Sequence, residues 1–243
     1  MPPPRLFVDP PLAPGAHLAL PDGAARHVQV LRLQPGAPLT LFDGRGGEVD
    51  ATLEAIGRRE VTVRLGEHRA VDRELPIAVT LALGMPANER MDALVEKATE
   101  LGVAAIQPLV CERSVLRLAG ERAQRRVAHW QGVALAACEQ SGRTRVPQIA
   151  PVCAIAEWLG ALEQGGATRW LLGFDADARP VATQPQAAAA VLCLSGPEGG
   201  LTPAEQAAAR AAGFATVSLG ARVLRADTAP LAVLAHLALR AGG

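Results

Sequence analysis

Short hydrophobic runs, several of them alternating with polar positions, fill the first seventy residues. Leu6-Phe7-Val8, His17–Leu20, Pro38–Phe42, Glu48–Leu53 and Val61–Leu65 each read as a strand. Turn residues separate them, as in Pro21-Asp22-Gly23 and Asp43-Gly44-Arg45-Gly46-Gly47. One short helix fits from Ala24 to Leu33. Short strands with glycine-rich turns predict a small β-barrel. The polar stretch Glu67–Pro76 reads as a linker.

Beyond it the period lengthens. Ile77–Leu83 is a compact apolar strand. Met91, Leu94, Val95, Ala98 and Leu101 then recur at helical spacing until Gly102. Ala104–Val110, Trp170–Phe174, Val191–Ser195 and Thr216–Leu219 are the remaining strands. Glu121–Gln140, Ala154–Leu162, Pro203–Ala212 and Asp227–Arg240 are the remaining helices. Thr202 is the expected N-cap of the third, with Pro203 at its first position. Alternating strands and helices predict a parallel sheet covered by helices. The chain thus divides into residues 1–72, a barrel, and 73–243, an α/β domain.

Composition narrows the function classes. Of 243 residues 49% are hydrophobic and 20% charged, which suits a sizeable core. No run approaches the length of a membrane span, and Met1-Pro2-Pro3-Pro4-Arg5 does not resemble a signal peptide, so a cytoplasmic protein is expected. Cys111, Cys138, Cys153 and Cys193 are scattered without a C-x-x-C pair, and the five histidines are dispersed. No metal is expected. A net charge of zero argues against a generic basic nucleic-acid binder. Yet Cys111–Arg145 carries seven arginines against three glutamates, a local cationic stretch.

Three segments could carry chemistry. Leu194–Thr202 leaves a strand and opens a helix through Gly196, Gly199 and Gly200, so backbone can approach a ligand near free N–H groups. It matches neither G-x-G-x-x-G nor a P-loop, and a tight structural turn would explain it equally well. Ser218–Ala229 repeats the arrangement, with Arg222 and Arg225 bracketing Val223 and Leu224; a capped helix with surface arginines is the bland alternative. Ala136–Pro147 ends a long helix in a basic loop whose arginines could pair with phosphates, or simply favour a helix C-terminus.

Together with EKATELGV (96–103), ERS (112–114), RHVQVLRLQPG (26–36) and LFDG (41–44), these segments resemble the RsmE family, in the same order along the whole chain. That family comprises 16S ribosomal RNA uracil-N3 methyltransferases of the SPOUT superfamily. The resemblance implies a PUA-like barrel that recognises RNA, an α/β domain with a C-terminal trefoil knot, a homodimer, and 16S rRNA of the small subunit as substrate. It implies S-adenosylmethionine as cofactor, held by Leu172, Gly173, Ser195, Gly196, Pro197, Glu198, Gly199, Gly200, Leu219, Gly220, Arg222, Val223, Leu224 and Arg225. RNA contacts are expected from Arg5, Arg26, Arg32, Arg90, Arg113, Gln140, Arg143 and Arg145.

Methylating a protonated imide requires removal of the N3 proton or stabilisation of the anion. Arg225, joined by Arg143 of a second subunit, is the expected electrostatic stabiliser. Glu139, Glu198 and Asp227 are candidate bases. Two positions depart from the family pattern. Arg225-Ala226-Asp227-Thr228 stands where relatives carry Arg-Thr-Glu-Thr, and Ala87-Asn88 replaces a basic residue and glycine. Alternatives are another SPOUT methyltransferase, acting on ribose 2′-oxygen or a different base, a non-catalytic RNA-binding assembly module, or a nucleotide-binding oxidoreductase.

Overall fold

A computed structural model describes residues 2–57, 60–87, 89–163, 165–175, 178–184 and 189–241. The chain separates into two compact units. The first comprises Met1–Glu74 together with Cys138–Val146, and the second Leu75–Ala137 with Pro147–Gly243.

In the first unit β1 (Arg5–Phe7), β2 (His17–Ala19), β3 (Pro38–Phe42), β4 (Glu48–Ile56) and β5 (Val61–Arg69) form one sheet in the order β1-β3-β4-β5-β2. Among the described residues only β1–β3 is parallel. Inward-facing Leu39, Leu41, Val49, Leu53, Val61, Val63 and Leu65 pack on Leu6, Val8 and Val28, as period-two alternation requires. Two boundaries differ from the sequence reading. β5 runs on to Arg69, pairing His68 with Val49 and Arg69 with Glu48, so the linker begins later than Glu67. α1 occupies Asp22–Val30 and stops before Leu33, because Arg32 takes the left-handed conformation (φ 53°) and the Leu33 N–H returns to the Val28 carbonyl.

Glu48 is the electrostatic centre of this unit. Its side chain is 2% exposed and pairs with Arg5, with Arg69 at 2.9 Å and with Arg73 at 3.4 Å. Burial alone would raise its pKa, but the surrounding guanidiniums outweigh that and hold the carboxyl below its ordinary value. Arg5 and Arg73 also donate to the carbonyls of Arg143 and Gly142, each at 2.9 Å.

The second unit holds an eight-stranded sheet in which every pairing is parallel. Its strands are β6 (Ala78–Gly84), β7 (Ala105–Val110), β8 (Gln148–Ile149), β9 (Cys153–Ala154), β10 (Thr168–Leu172), β11 (Arg179–Pro180), β12 (Ala190–Ser195) and β13 (Ala215–Ser218). The order is β11-β13-β10-β12-β6-β7-β8, with β9 also on β7. The helices are α2 (Glu89–Glu100), α3 (Gly120–Ser141), of which the residues from Cys138 on count with the first unit, α4 (Ile155–Gly160), α5 (Pro203–Ala211) and α6 (Thr228–Ala241).

Alternate strand residues feed two separate cores. Val79, Leu81 and Leu83 of β6 join Val191, Cys193 and Trp170 against α2, α3 and α6. Ala82, Leu171 and Leu194 join Ile155, Leu159 and Ala209 of α4 and α5. Both faces are therefore covered, which is why these strands read as continuous apolar runs. Among the described residues no helix is long and apolar enough to cross a membrane.

Candidate active site

Because all strands of the second sheet run the same way, their carboxyl ends share one edge, where ligands bind in open α/β sheets. A cavity of about 630 Å³ opens there, within the range typical of small-molecule sites. Leu171–Asp175 reaches it from β10, Ser195–Leu201 from β12, and Val217, Leu219, Val223–Ala226 and Ala229 from β13 and the start of α6. Arg90 at the start of α2 and Arg113 beyond β7 complete the rim, with Gln206 of α5.

Close backbone packing shapes the β12 loop. A Cβ on Gly196 would lie 2.9 Å from the Leu201 nitrogen, and one on Gly84 would run into Pro197. Gly200 turns the chain with φ 68°, and the Gly200 N–H bonds the Pro197 carbonyl at 2.8 Å. α5 then begins with a capping box: Thr202 Oγ accepts the Glu205 N–H, and Glu205 accepts the Thr202 N–H. The N-cap and first-position proline match the sequence expectation. The same Glu205 carboxylate also accepts the Glu112 N–H at 2.8 Å. Next along the chain, Arg113 donates to the Gly199 carbonyl at 3.1 Å.

Charged groups on the rim are mostly committed. Glu198 accepts the Ala87 N–H at 2.9 Å and lies 3.5 Å from Arg90, tying the β12 loop to the β6–α2 connection. Asp175 pairs with Arg210 of α5. Arg225 is exposed, and its side chain has no hydrogen bond among the described residues. Asn88, one of the departures from the family pattern, lies outside the described residues.

The cavity gathers Leu172, Gly173, Ser195–Gly200, Leu219, Val223, Leu224 and Arg225, with Arg90 and Arg113 from the RNA group. Gly220, Arg222 and Asp227 are not among its lining residues; Arg222 is exposed. Asp227 Oδ1 is buried without a hydrogen-bond partner among the described residues. Glu139, Gln140, Arg143 and Arg145 belong to the first unit. There Glu139 accepts the Phe7 N–H at 2.9 Å, and Arg143, 4% exposed, is paired with Glu74. Arg5 is occupied by Glu48. These are bracing contacts, and a guanidinium buried against a carboxylate does not present itself to a phosphate. Arg26 and Arg32 lie in α1 and its terminating turn.

Sequence reasoning missed Phe174, Asp175 and Gln206. The predicted strand ran to Phe174, but β10 ends at Leu172, and the freed segment turns into the cavity with Phe174 60% exposed. Gln206 sits one turn inside α5, where only the direction of the helix start could have flagged it. The thiols offer no nucleophile here: burial pushes Cys111 and Cys193 up to about 12 and Cys138 up to about 11.

Comparison with known proteins bears on the whole chain. The RNA methyltransferase domain family matches residues 73–238, and the RNA methyltransferase PUA domain family matches residues 20–66. The ribosomal RNA small subunit methyltransferase E of Synechocystis sp. is 34% identical, covering 96% of this chain and 76% of that protein. The chain belongs to the ribosomal RNA small subunit methyltransferase E family. The family member of Neisseria gonorrhoeae, solved bound to S-adenosyl methionine, superimposes with a TM-score of 0.91 at 37% identity, covering 97% of this chain and 96% of that one. A Legionella pneumophila protein in complex with the same cofactor gives a TM-score of 0.93 at 31% identity, covering 99% and 98%. The family resemblance read from the motifs and the expected mixed α/β architecture with a PUA-like N-terminal region both hold.

Proposed function

We propose that the protein transfers the methyl group of S-adenosylmethionine to N3 of a uracil in the 16S rRNA of the small ribosomal subunit. The observation that carries this reading is the cavity at the carboxyl edge of the sheet, built from the loops that follow β10, β12 and β13. Its residues fit the cofactor. Apolar Leu171, Leu201, Val217, Leu219 and Leu224 offer walls for a purine, and the glycine-containing loop keeps side chains out of the floor. Bound there, S-adenosylmethionine supplies an electrophilic methyl carbon on a sulfonium.

The protein's own contribution is orientation and charge. Arg225 lines the cavity with a guanidinium that has no partner among the described residues, and we assign it to the negative charge that develops on the uracil oxygens as the N3 proton leaves. Glu198 also lines the cavity, but its carboxylate is engaged by the Ala87 N–H and Arg90, so its assigned role is to hold the loop. Arg90 and Arg113 stand at the rim, where RNA phosphates would approach. The barrel is assigned to RNA recognition.

The same reading includes the trefoil knot, a homodimer, and work in the cytoplasm on small-subunit rRNA. Support for the knot comes from β13, which returns between β10 and β11 although it follows β12 in the chain. Support for a dimer comes from α6, which is apolar nearly all round, with Leu239 80% exposed. Labelled methyl donor supplied with unmodified small subunits, followed by nucleoside mass spectrometry, tests the proposal. 3-Methyluridine is the expected product; a 2′-O-methylated nucleoside, or none, would overturn it.

A further inference from the structure

The first unit brings two arginines into direct opposition. Arg45, in the turn between β3 and β4, and Arg145, in the loop after α3, form an isolated antiparallel bridge. Opposed residues of such a bridge project to the same side, and like charges placed this way repel. Both residues are exposed, and neither guanidinium forms an ion pair among the described residues. Other arginines of the unit are answered by carboxylates: Glu48 takes Arg5, Arg69 and Arg73, and Glu74 takes Arg143, whereas Arg26 and Arg32 also form no ion pair among the described residues.

The backbone imposes this opposition. The Gly46 N–H donates to the Thr144 carbonyl at 3.1 Å, and Thr144, fully buried, ties its hydroxyl to the Val71 carbonyl at 3.2 Å. Asp43, the carboxylate closest in the turn's sequence, accepts the Arg45 N–H at 3.0 Å. A Cβ on Gly46 would fall 2.9 Å from Arg145 Nη2, and its φ of 109° is one that side-chain-bearing residues rarely adopt. The Arg145 guanidinium thus lies against the bare backbone of Gly46, the residue after Arg45.

We propose that Arg45 and Arg145 form a single anion site that clamps one RNA phosphodiester on the N-terminal unit. Two guanidiniums on one side supply the paired donors that phosphate oxygens accept, and the anion removes their repulsion. The choice of RNA as the source of the phosphate rests on the proposed function. The anion site itself rests on the geometry alone.

Two measurements on the full-length protein separate these levels. Thermal melts at fixed ionic strength, with inorganic phosphate replacing chloride, should raise the Tm of the wild type by more than that of the Arg45→Ala/Arg145→Ala variant, because the general stabilisation by phosphate acts on both. Equal responses, or no response in either, would overturn the site. Binding of transcribed small-subunit rRNA is then followed against salt for wild type, both single variants and the double variant. The double variant should lower the slope of log affinity against log salt by about one. Losses in the singles should sum to more than the loss in the double, because one phosphate is shared. Additive losses, or none, would overturn the clamp. S-adenosylmethionine affinity reports whether each variant is folded. If the phosphate response holds while no protein binds rRNA, the substrate reading falls and the anion site stands.

Discussion

Glu205 accepts the Glu112 N–H at 2.8 Å with one carboxylate oxygen while the other takes the Thr202 N–H at 2.8 Å. A residue whose local task is to cap α5 therefore also fixes the turn after β7. That turn carries Arg113, which donates to Gly199 in the cavity loop. The helix start and the rim arginine are held by one side chain.

The two tasks separate by mutation. Thr202→Ala removes only the cap and should cost about 1 kcal/mol in urea melts, with S-adenosylmethionine affinity unchanged. Glu205→Ala releases the Glu112 N–H as well and should weaken cofactor binding several-fold by calorimetry. Equal affinities in the two variants would show that the bridge to Glu112 does not reach the site.

Glu198 is expected to behave as a latch. Glu198→Gln keeps an oxygen for the Ala87 N–H and should hold kcat within a few-fold of wild type. Glu198→Ala should raise KM for the cofactor. Loss of the chemical step by about 10²-fold or more in the glutamine variant, as general-base removal produces, would make Glu198 the proton acceptor instead.

Gly84 and Pro197 leave no room between β6 and the β12 loop. Gly84→Ala should destabilise the protein by about 1–3 kcal/mol, the usual cost of overpacking. Because the displaced segment is the cavity loop itself, cofactor affinity should fall along with Tm.

Acid stability should depend on Glu48. Its folded pKa lies below the unfolded value of about 4.3. The unfolded chain therefore takes up the proton first as pH falls, and the stabilisation present above pH of about 4.3 is lost as pH drops through the lower folded value. Urea melts between pH 3 and 6 should show this decline in the wild type. Glu48→Gln should be less stable at pH 6 by about 3 kcal/mol, with a flatter acid limb, since three arginines lose their buried partner.

The sheet was legible because both its faces are buried: continuous runs such as Leu81–Leu83 and Val191–Leu194 have no other comfortable environment. The cavity loops were legible as glycine-bearing exits from strands, and the family motifs gave them a ligand. Arg143 and Arg5 were not. An arginine in sequence looks the same whether it faces solvent or a carboxylate, and Glu74 and Glu48 lie far from them along the chain. The turn after Leu172 was hidden for a local reason: Phe174 has strand propensity, yet Gly173 and Asp175 release the chain into the cavity.

The order of strands has a kinetic consequence. β6 pairs with the whole of β12, from Ala78 with Ala190 to Leu83 with Ser195, so the centre of the sheet joins distant parts of the chain. Such non-local pairing is slow, because loop closure must precede any reward from contact. During synthesis β6 and β7 emerge long before their missing neighbour, with apolar faces and open edges exposed. The cavity is completed by segments made still later, after β12 and β13. A nascent chain on its ribosome is therefore without methyl-donor affinity until Ala229, the cavity's last wall residue, has left the tunnel.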